Sequence, residues 1–169
     1  LCRDWSSDVC SSDLFSGGFA VQAAVAGARH VAGIDRSEPA LALAAQAAEL
    51  NGVAERCQFR RAEVFGELET LLSAGERFDV VIADPPAFVK SRKDLGAGLR
   101  GYRKLARLAA GAVAAQGYLF LASCSHNVTP EDFAEAARRG LEDAGRGGRV
   151  LLTSGAAPDH PLHPHLPES

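Results

Sequence analysis

From position 15 onward, short apolar runs alternate with longer stretches in which apolar residues return at helical spacing, the pattern of strands interleaved with amphipathic helices. Gly17 and Gly18 open an Ala-rich helix reaching about position 26, and positions 30–34 form a short strand ending at Asp35. Ser37 then stands as cap, with Glu38 and Pro39 in the first turn, for a helix that runs to Leu50 and stops at Asn51-Gly52. A third strand over 57–61 leads to Glu63, and Leu68, Leu71 and Leu72 mark a helix ending before Gly75. Val80 to Ala83 read as a buried strand running into Asp84-Pro85-Pro86, where two prolines remove the backbone donors a sheet would need. After a loop over 88–98, a helix is predicted over about 99–115 and a strand over 118–122, which ends in Ser123-Cys124-Ser125. Thr129-Pro130-Glu131-Asp132 starts another helix, and 150–152 read as a last short strand.

Strands separated by helices of this length predict an α/β fold with a mostly parallel, doubly wound sheet and right-handed crossovers. Residues 1–14 depart from the pattern: they show neither period and repeat Ser-Ser-Asp, which the Ala-, Leu-, Arg- and Gly-rich remainder never does. They are expected to be a foreign or unstructured segment, so the unit begins at position 15 and runs to 169, with no credible first, central strand and with its last strand also wanting.

Composition narrows the class without changing the fold. With 169 residues, 47% hydrophobic and 23% charged, the chain has the size and balance of one globular domain. Charged and polar residues interrupt every apolar run before membrane-spanning length, and the first residues lack the basic start and apolar core of a secretory leader. Four cysteines without a CxxC pair fit a reduced, cytoplasmic setting. A net charge of −3 argues against polyanion binding by the whole surface but leaves room for a local basic patch.

If the topology holds, Asp35, Glu63, Asp84 and Cys124 all lie at the carboxyl edge of the sheet, where open α/β sheets bind ligands. An acid ending the second strand suits the two hydroxyls of a ribose; Asp35 could equally cap the helix that begins near Ser37. Arg100, Arg103, Lys104 and Arg107 share one helical face, with Lys90, Arg92 and Lys93 in the loop before it. That face is either a phosphate-binding patch or the solvated side of an amphipathic helix. His160, His163 and His165 match no metal geometry, and no metal is expected.

In order, Ser16-Gly17-Gly18-Phe19-Ala20, Gly33-Ile34-Asp35-Arg36-Ser37, Arg61-Ala62-Glu63-Val64-Phe65, Asp84-Pro85-Pro86-Ala87-Phe88, Arg100-Gly101-Tyr102 and Ala122-Ser123-Cys124-Ser125-His126 resemble the class I S-adenosylmethionine-dependent methyltransferases that make 5-methylcytosine in large-subunit ribosomal RNA. The resemblance covers roughly 15–168 and implies a Rossmann-like fold, S-adenosylmethionine as cofactor, ribosomal RNA as partner and a homodimer as one allowed assembly. It implies that Ser16, Gly17 and Gly18 lie beside the methionine part of the cofactor, Asp35 and Arg36 at the ribose, Glu63 and Val64 at the adenine, and Asp84 between cofactor and target base. Pro85, Pro86, Phe88, Lys90, Arg100, Arg103, Lys104 and Arg107 are then the expected RNA-facing residues. Glu63 stands where the family more usually has Asp, and Ala87 where Lys is common.

The chemistry explains why a cysteine and an acid would be paired. Carbon 5 of cytosine is too weak a nucleophile for a sulfonium methyl until a thiolate adds to carbon 6. Cys124 is the expected nucleophile and Asp84 the group that hydrogen-bonds or protonates the pyrimidine edge. Two other readings stand beside this one. An Asp-Pro-Pro-Ala-Phe enzyme could methylate an exocyclic base nitrogen without a cysteine, or the chain could be an inactive fragment with at most weak RNA or nucleotide binding. Against the nucleophile stands the usual fate of a free cysteine, which is to complete a buried strand.

Overall fold

The computed structural model describes residues 8–12 and 17–155. It contains β1 (Asp8–Ser12), α1 (Gly18–Val25), β2 (His30–Asp35), α2 (Glu38–Leu50), β3 (Cys57–Arg61), α3 (Val64–Ser73), β4 (Phe78–Ala83), α4 (Leu95–Ala112), β5 (Val113–Leu121) and α5 (Pro130–Asp143). The five strands form one sheet in the order β3-β2-β1-β4-β5, with every neighbouring pair parallel. This is the doubly wound architecture expected from the sequence, and its order reverses between β1 and β4.

Two hydrophobic layers hold helices to opposite faces of the sheet. On one face Val9, Val31 and Val53 pack with Ala20, Val21, Ala24, Ala44 and Ala48 of α1 and α2. Alanines bring these two helices close to the strands. On the other face Cys10, Ile34, Val81 and Ala83 meet Leu68 and Leu71 of α3 and Leu105, Leu108 and Ala109 of α4. α5 reaches the core through α4, where Ala136 packs with Tyr102 and Val89.

The helix signals translate directly into caps. The Ser37 side chain accepts from Ala40 N–H, Thr129 from Asp132 N–H, and each helix has proline in its first turn. Glu63 caps α3 in the same way, its Oε2 accepting from Gly66 N–H at 3.0 Å.

Four expectations need correction or fall outside the description. Residues 8–12 are not unstructured: they form the central strand, paired with β2 on one side and β4 on the other. Val9, Cys10 and Ser11 are buried there. A run of branched apolar residues is the usual mark of such a strand, but valine with the small side chains of cysteine and serine fills this narrow central position instead. Residues 150–152 do not form a strand, and Val150, Leu151 and Leu152 are exposed. Their apolar run has no neighbour among the described residues whose backbone groups it could pair with, and strand propensity without a partner does not make a strand.

α4 begins at Leu95 rather than near 99 and ends at Ala112. Val113 pairs with Phe78 before a register shift, and Gln116 takes a positive φ of 63°, so β5 starts five residues earlier than the apolar run 118–122 indicates. Ser16 and the histidine- and proline-rich tail from 158 lie outside the described residues.

Candidate active site at the carboxyl edge of the sheet

The β4–β5 ladder brings the two suspected reactive segments together. It continues past the last paired residues, Ala83 and Leu121, through a bond from Ala122 N–H to Ala83 O at 3.0 Å. Both chains leave the sheet at this point, and the Asp84-Pro85-Pro86 turn lies beside the Ser123-Cys124-Ser125 turn. Cys124 Sγ donates to the Pro85 carbonyl oxygen at 3.7 Å. The cysteine is exposed, which rules against its being a small residue that completes a buried strand.

Asp84 is half-buried, and that burial raises its carboxyl above the ordinary value. Loss of water around a carboxylate disfavours the charged form. Its surroundings therefore extend the pH range over which it keeps its proton.

Next to this pair, a cleft of about 180 Å³ is lined by Arg36, Glu63, Val64, Phe65, Pro85, Pro86, Phe88 and Leu105. It gathers residues from the ends of β2, β3 and β4, as expected for Arg36, Glu63 and Val64, and adds Phe65 and Leu105, to which sequence reasoning gave no role. A wider hollow of about 600 Å³ sits at the other end of the sheet, lined by strand-starting residues such as His30, Cys57 and Phe78. The hollow carries more ionisable side chains, but only the smaller cleft lies at the carboxyl ends of the strands beside Asp84 and Cys124, so position on the sheet decides between the two.

Several expected site residues have structural duties that limit what else they do. One Glu63 oxygen is engaged as the cap of α3. Asp35 is buried, and its Oδ1 accepts from Ser37 N–H at 2.7 Å, so it organises the turn that leads into α2. Gly17 has φ +78°, and a Cβ there would lie 2.6 Å from Ala44 Cβ. Packing of α1 against α2 thus demands this glycine whatever binds above it. Gly18 is different, since a Cβ there would meet nothing within 4 Å.

Phe88 packs against Tyr102 with ring centroids 4.8 Å apart and against Phe65 at 6.1 Å. Of the basic face on α4, Arg103 makes two bonds to Asp143 of α5, at 2.6 and 2.7 Å. Lys104 Nζ lies 3.1 Å from Glu69 and 4.9 Å from the Phe65 ring centroid. Arg100, Arg107 and Lys90 are exposed.

The donor set fits a nucleoside-bearing cofactor. The cleft has apolar walls from Val64, Phe65, Pro85 and Leu105 for a flat base, a carboxylate and a guanidinium at its rim, and Asp35 at the end of the neighbouring strand. A parallel sheet with this order is a Rossmann-like architecture, and the cleft lies at the edge where such sheets bind nucleotides.

Comparison with known proteins agrees. The chain belongs to the methyltransferase domain family, whose model matches residues 11–143. It is 37% identical over 155 residues to ribosomal RNA large subunit methyltransferase I of Aeromonas salmonicida, covering 91% of this chain and 39% of that protein. The Klebsiella pneumoniae (strain 342) protein of the same name is also 37% identical over the same shares. The chain thus spans about two fifths of the curated relatives it matches. Among solved structures, SMU.776, described as a methyltransferase and complexed with SAH, superposes with a TM-score of 0.79 at 20% identity, covering 96% of this chain and 42% of that one. NSun6 from Pyrococcus horikoshii, solved with SFG, gives 0.68 at 16% identity, over 91% and 41%.

Proposed function

We propose that this chain is the catalytic portion of an enzyme that methylates carbon 5 of a cytosine in large-subunit ribosomal RNA, with Cys124 as nucleophile. The observation that carries the reading is the exposed Cys124 thiol beside the Asp84-Pro85-Pro86 turn, with Sγ 3.7 Å from the Pro85 carbonyl. An exocyclic-nitrogen methyltransferase has no use for a thiol at that place. The name of the relatives, ribosomal RNA large subunit methyltransferase I, supports the RNA class.

In this reading Arg36, Glu63, Val64 and Asp35 hold the cofactor's nucleoside, and Gly18 leaves its backbone open to the methionine portion. S-adenosylmethionine, when bound, supplies the electrophilic methyl group. Cys124 as thiolate adds to carbon 6, and the electrons of the 5,6 double bond are made available at carbon 5. Asp84, held toward its protonated form by burial, donates to the pyrimidine edge where negative charge builds up. After methylation, loss of the carbon 5 proton to a base restores the double bond and expels the Cys124 sulfur.

Reaching carbon 5 in structured RNA requires the base to leave its stack. Pro85 and Pro86 form the rigid lip beside which it would sit, and Lys90, Arg100 and Arg107 are the exposed cations placed to meet phosphate. Phe88 anchors the segment after the lip through ring contacts with Tyr102 and Phe65.

The test is methyl transfer to fragments of large-subunit RNA, with the product nucleoside identified by mass spectrometry. Cys124→Ala is expected to lower 5-methylcytosine formation by about 10³-fold or more. Unchanged 5-methylcytosine formation by Cys124→Ala overturns the mechanism, and an N-methylated product overturns the carbon 5 assignment.

A further inference from the structure

Tyr102 sits on the face of α4 turned away from solvent, and its ring is held on both sides, by Phe88 at 4.8 Å and edge-on by Phe133 at 5.1 Å. Its hydroxyl is therefore fixed in space, and it points at the turn that carries Cys124. Ser123 Oγ donates to Tyr102 Oη at 2.7 Å, and Tyr102 Oη lies 2.7 Å from Ser125 Oγ. Ser125 N–H donates to Ser123 Oγ at 3.3 Å, and Val89 N–H donates to Ser125 Oγ at 3.2 Å.

Either oxygen of the Tyr102–Ser125 pair can be the donor, and in each case the phenol bonds both serines while Ser125 Oγ also accepts from Val89 N–H. Bonds linked in this way strengthen one another in a low-dielectric setting. Both neighbours of Cys124 are tied to one phenol, while Cys124 itself remains exposed at the apex. The same network binds Val89, so the segment following Asp84-Pro85-Pro86 and the cysteine turn share one anchor.

We propose that Tyr102 is a positioning residue for the reaction: with Ser123 and Ser125 it clamps the cysteine turn so that Cys124 Sγ is held at the Pro85 carbonyl beside Asp84. The catalytic use of the clamp rests on the function proposed above; the clamp itself does not. Tyr102→Phe keeps the ring that packs with Phe88 and Phe133 and removes only the shared hydroxyl, so it separates positioning from packing.

The experiment follows two readouts in the same protein. Iodoacetamide alkylation is timed for each cysteine by peptide mass spectrometry. Release of the turn frees Cys124 Sγ from the Pro85 carbonyl and opens it to the reagent from more directions. Cys124 of Tyr102→Phe is expected to react at least fivefold faster at neutral pH. Cys57 is expected to keep its rate, and Cys10, buried in β1, to stay unreactive. A change of less than fivefold at Cys124, or a rise at Cys10 to match it, overturns the clamp. Ser125→Ala provides a second entry to the same bonds: it is expected to give the same acceleration, with no further gain in the double variant, and additive effects would overturn the shared anchor.

The second readout is methyl transfer to RNA, where kcat of Tyr102→Phe is expected to fall by about 10²-fold with KM for S-adenosylmethionine unchanged. Faster alkylation with wild-type kcat overturns the catalytic use of the clamp. Loss of the proposed function is recognised separately, by Cys124→Ala retaining activity.

Discussion

Three carboxylates at the sheet edge illustrate how far a residue's surroundings decide its role. Asp35 accepts from Ser37 N–H, and Glu63 accepts from Gly66 N–H; both stabilise turns as hydrogen-bond acceptors. Asp84 has burial as the cause of its shift, and that burial raises its carboxyl above the ordinary 3.8. A raised acid favours the fold while it is protonated and opposes it once it ionises. Its stabilising effect is present below about the ordinary value and lost as pH rises through the folded value. Asp84→Asn, which mimics the neutral form, is thus expected to unfold at higher denaturant than wild type at pH 7, with the difference closing as pH drops below 3.8. Activity should move the other way. An amide can hydrogen-bond the base but cannot transfer the proton, so kcat is expected to fall by about 10²–10³-fold at pH 7. A variant that is both less stable and fully active would remove Asp84 from the site.

At the scale of elements, the contact between α4 and α5 decides which cations of α4 are already engaged within the protein. α5 lies so close that a Cβ on Gly140 would come within 2.6 Å of both Ala106 Cβ and Arg103 O. Gly140→Ala must push the helices apart. Overpacking of this kind costs about 1–3 kcal/mol, against roughly 1 kcal/mol gained in helix propensity; a net loss of about 1 kcal/mol is expected in denaturant unfolding. The same closeness lets Arg103 form its two bonds to Asp143, so its charge is already answered within the protein. Arg100→Ala and Arg107→Ala are each expected to lower the slope of log binding constant against log salt by about 1, while Arg103→Ala changes it little. Equal slopes for all three would restore the reading of the whole face as a phosphate patch.

The sequence carried the spacing that puts these four residues on one face, but not their partners. Asp143 and Glu69 are 40 and 35 positions away from the residues they engage, and only the packing of α5 and α3 on α4 brings them in. Caps and turns were legible for the converse reason: Ser37, Thr129 and the proline pair act on neighbours a few residues away. Tyr102 lay between these cases. A phenol on an apolar helix face needs a polar partner, and the serines flanking Cys124 were the nearest hydroxyls in the sheet-edge loops. The central strand was misread because its burial comes from neighbours on both sides rather than from its own composition.

For the molecule as a whole, the sheet order makes cofactor binding a property of several strands at once. The cleft draws on the ends of β2, β3 and β4, while Gly17 and Gly18 lie at the start of α1. A ligand that touches these segments favours the folded state by RT ln(1 + [L]/Kd), about 2.7 kcal/mol at 100 times Kd. S-adenosylmethionine is therefore expected to raise the unfolding temperature of the wild-type chain in a concentration-dependent way. The glycine pair then distinguishes building the loop from binding with it. Gly17→Ala meets Ala44 at 2.6 Å and must abandon φ +78°; it is expected to lose about 1–3 kcal/mol even without cofactor. Gly18→Ala has open space within 4 Å, so its unfolding without cofactor should match wild type to within about 0.5 kcal/mol. If the backbone at Gly18 faces the ligand, the added methyl group occupies the ligand's own volume. Gly18→Ala should then show little of the S-adenosylmethionine-induced shift and at least tenfold weaker binding by calorimetry. A Gly18→Ala protein that binds as wild type does would move the cofactor away from this loop and leave Gly17 with a packing role alone.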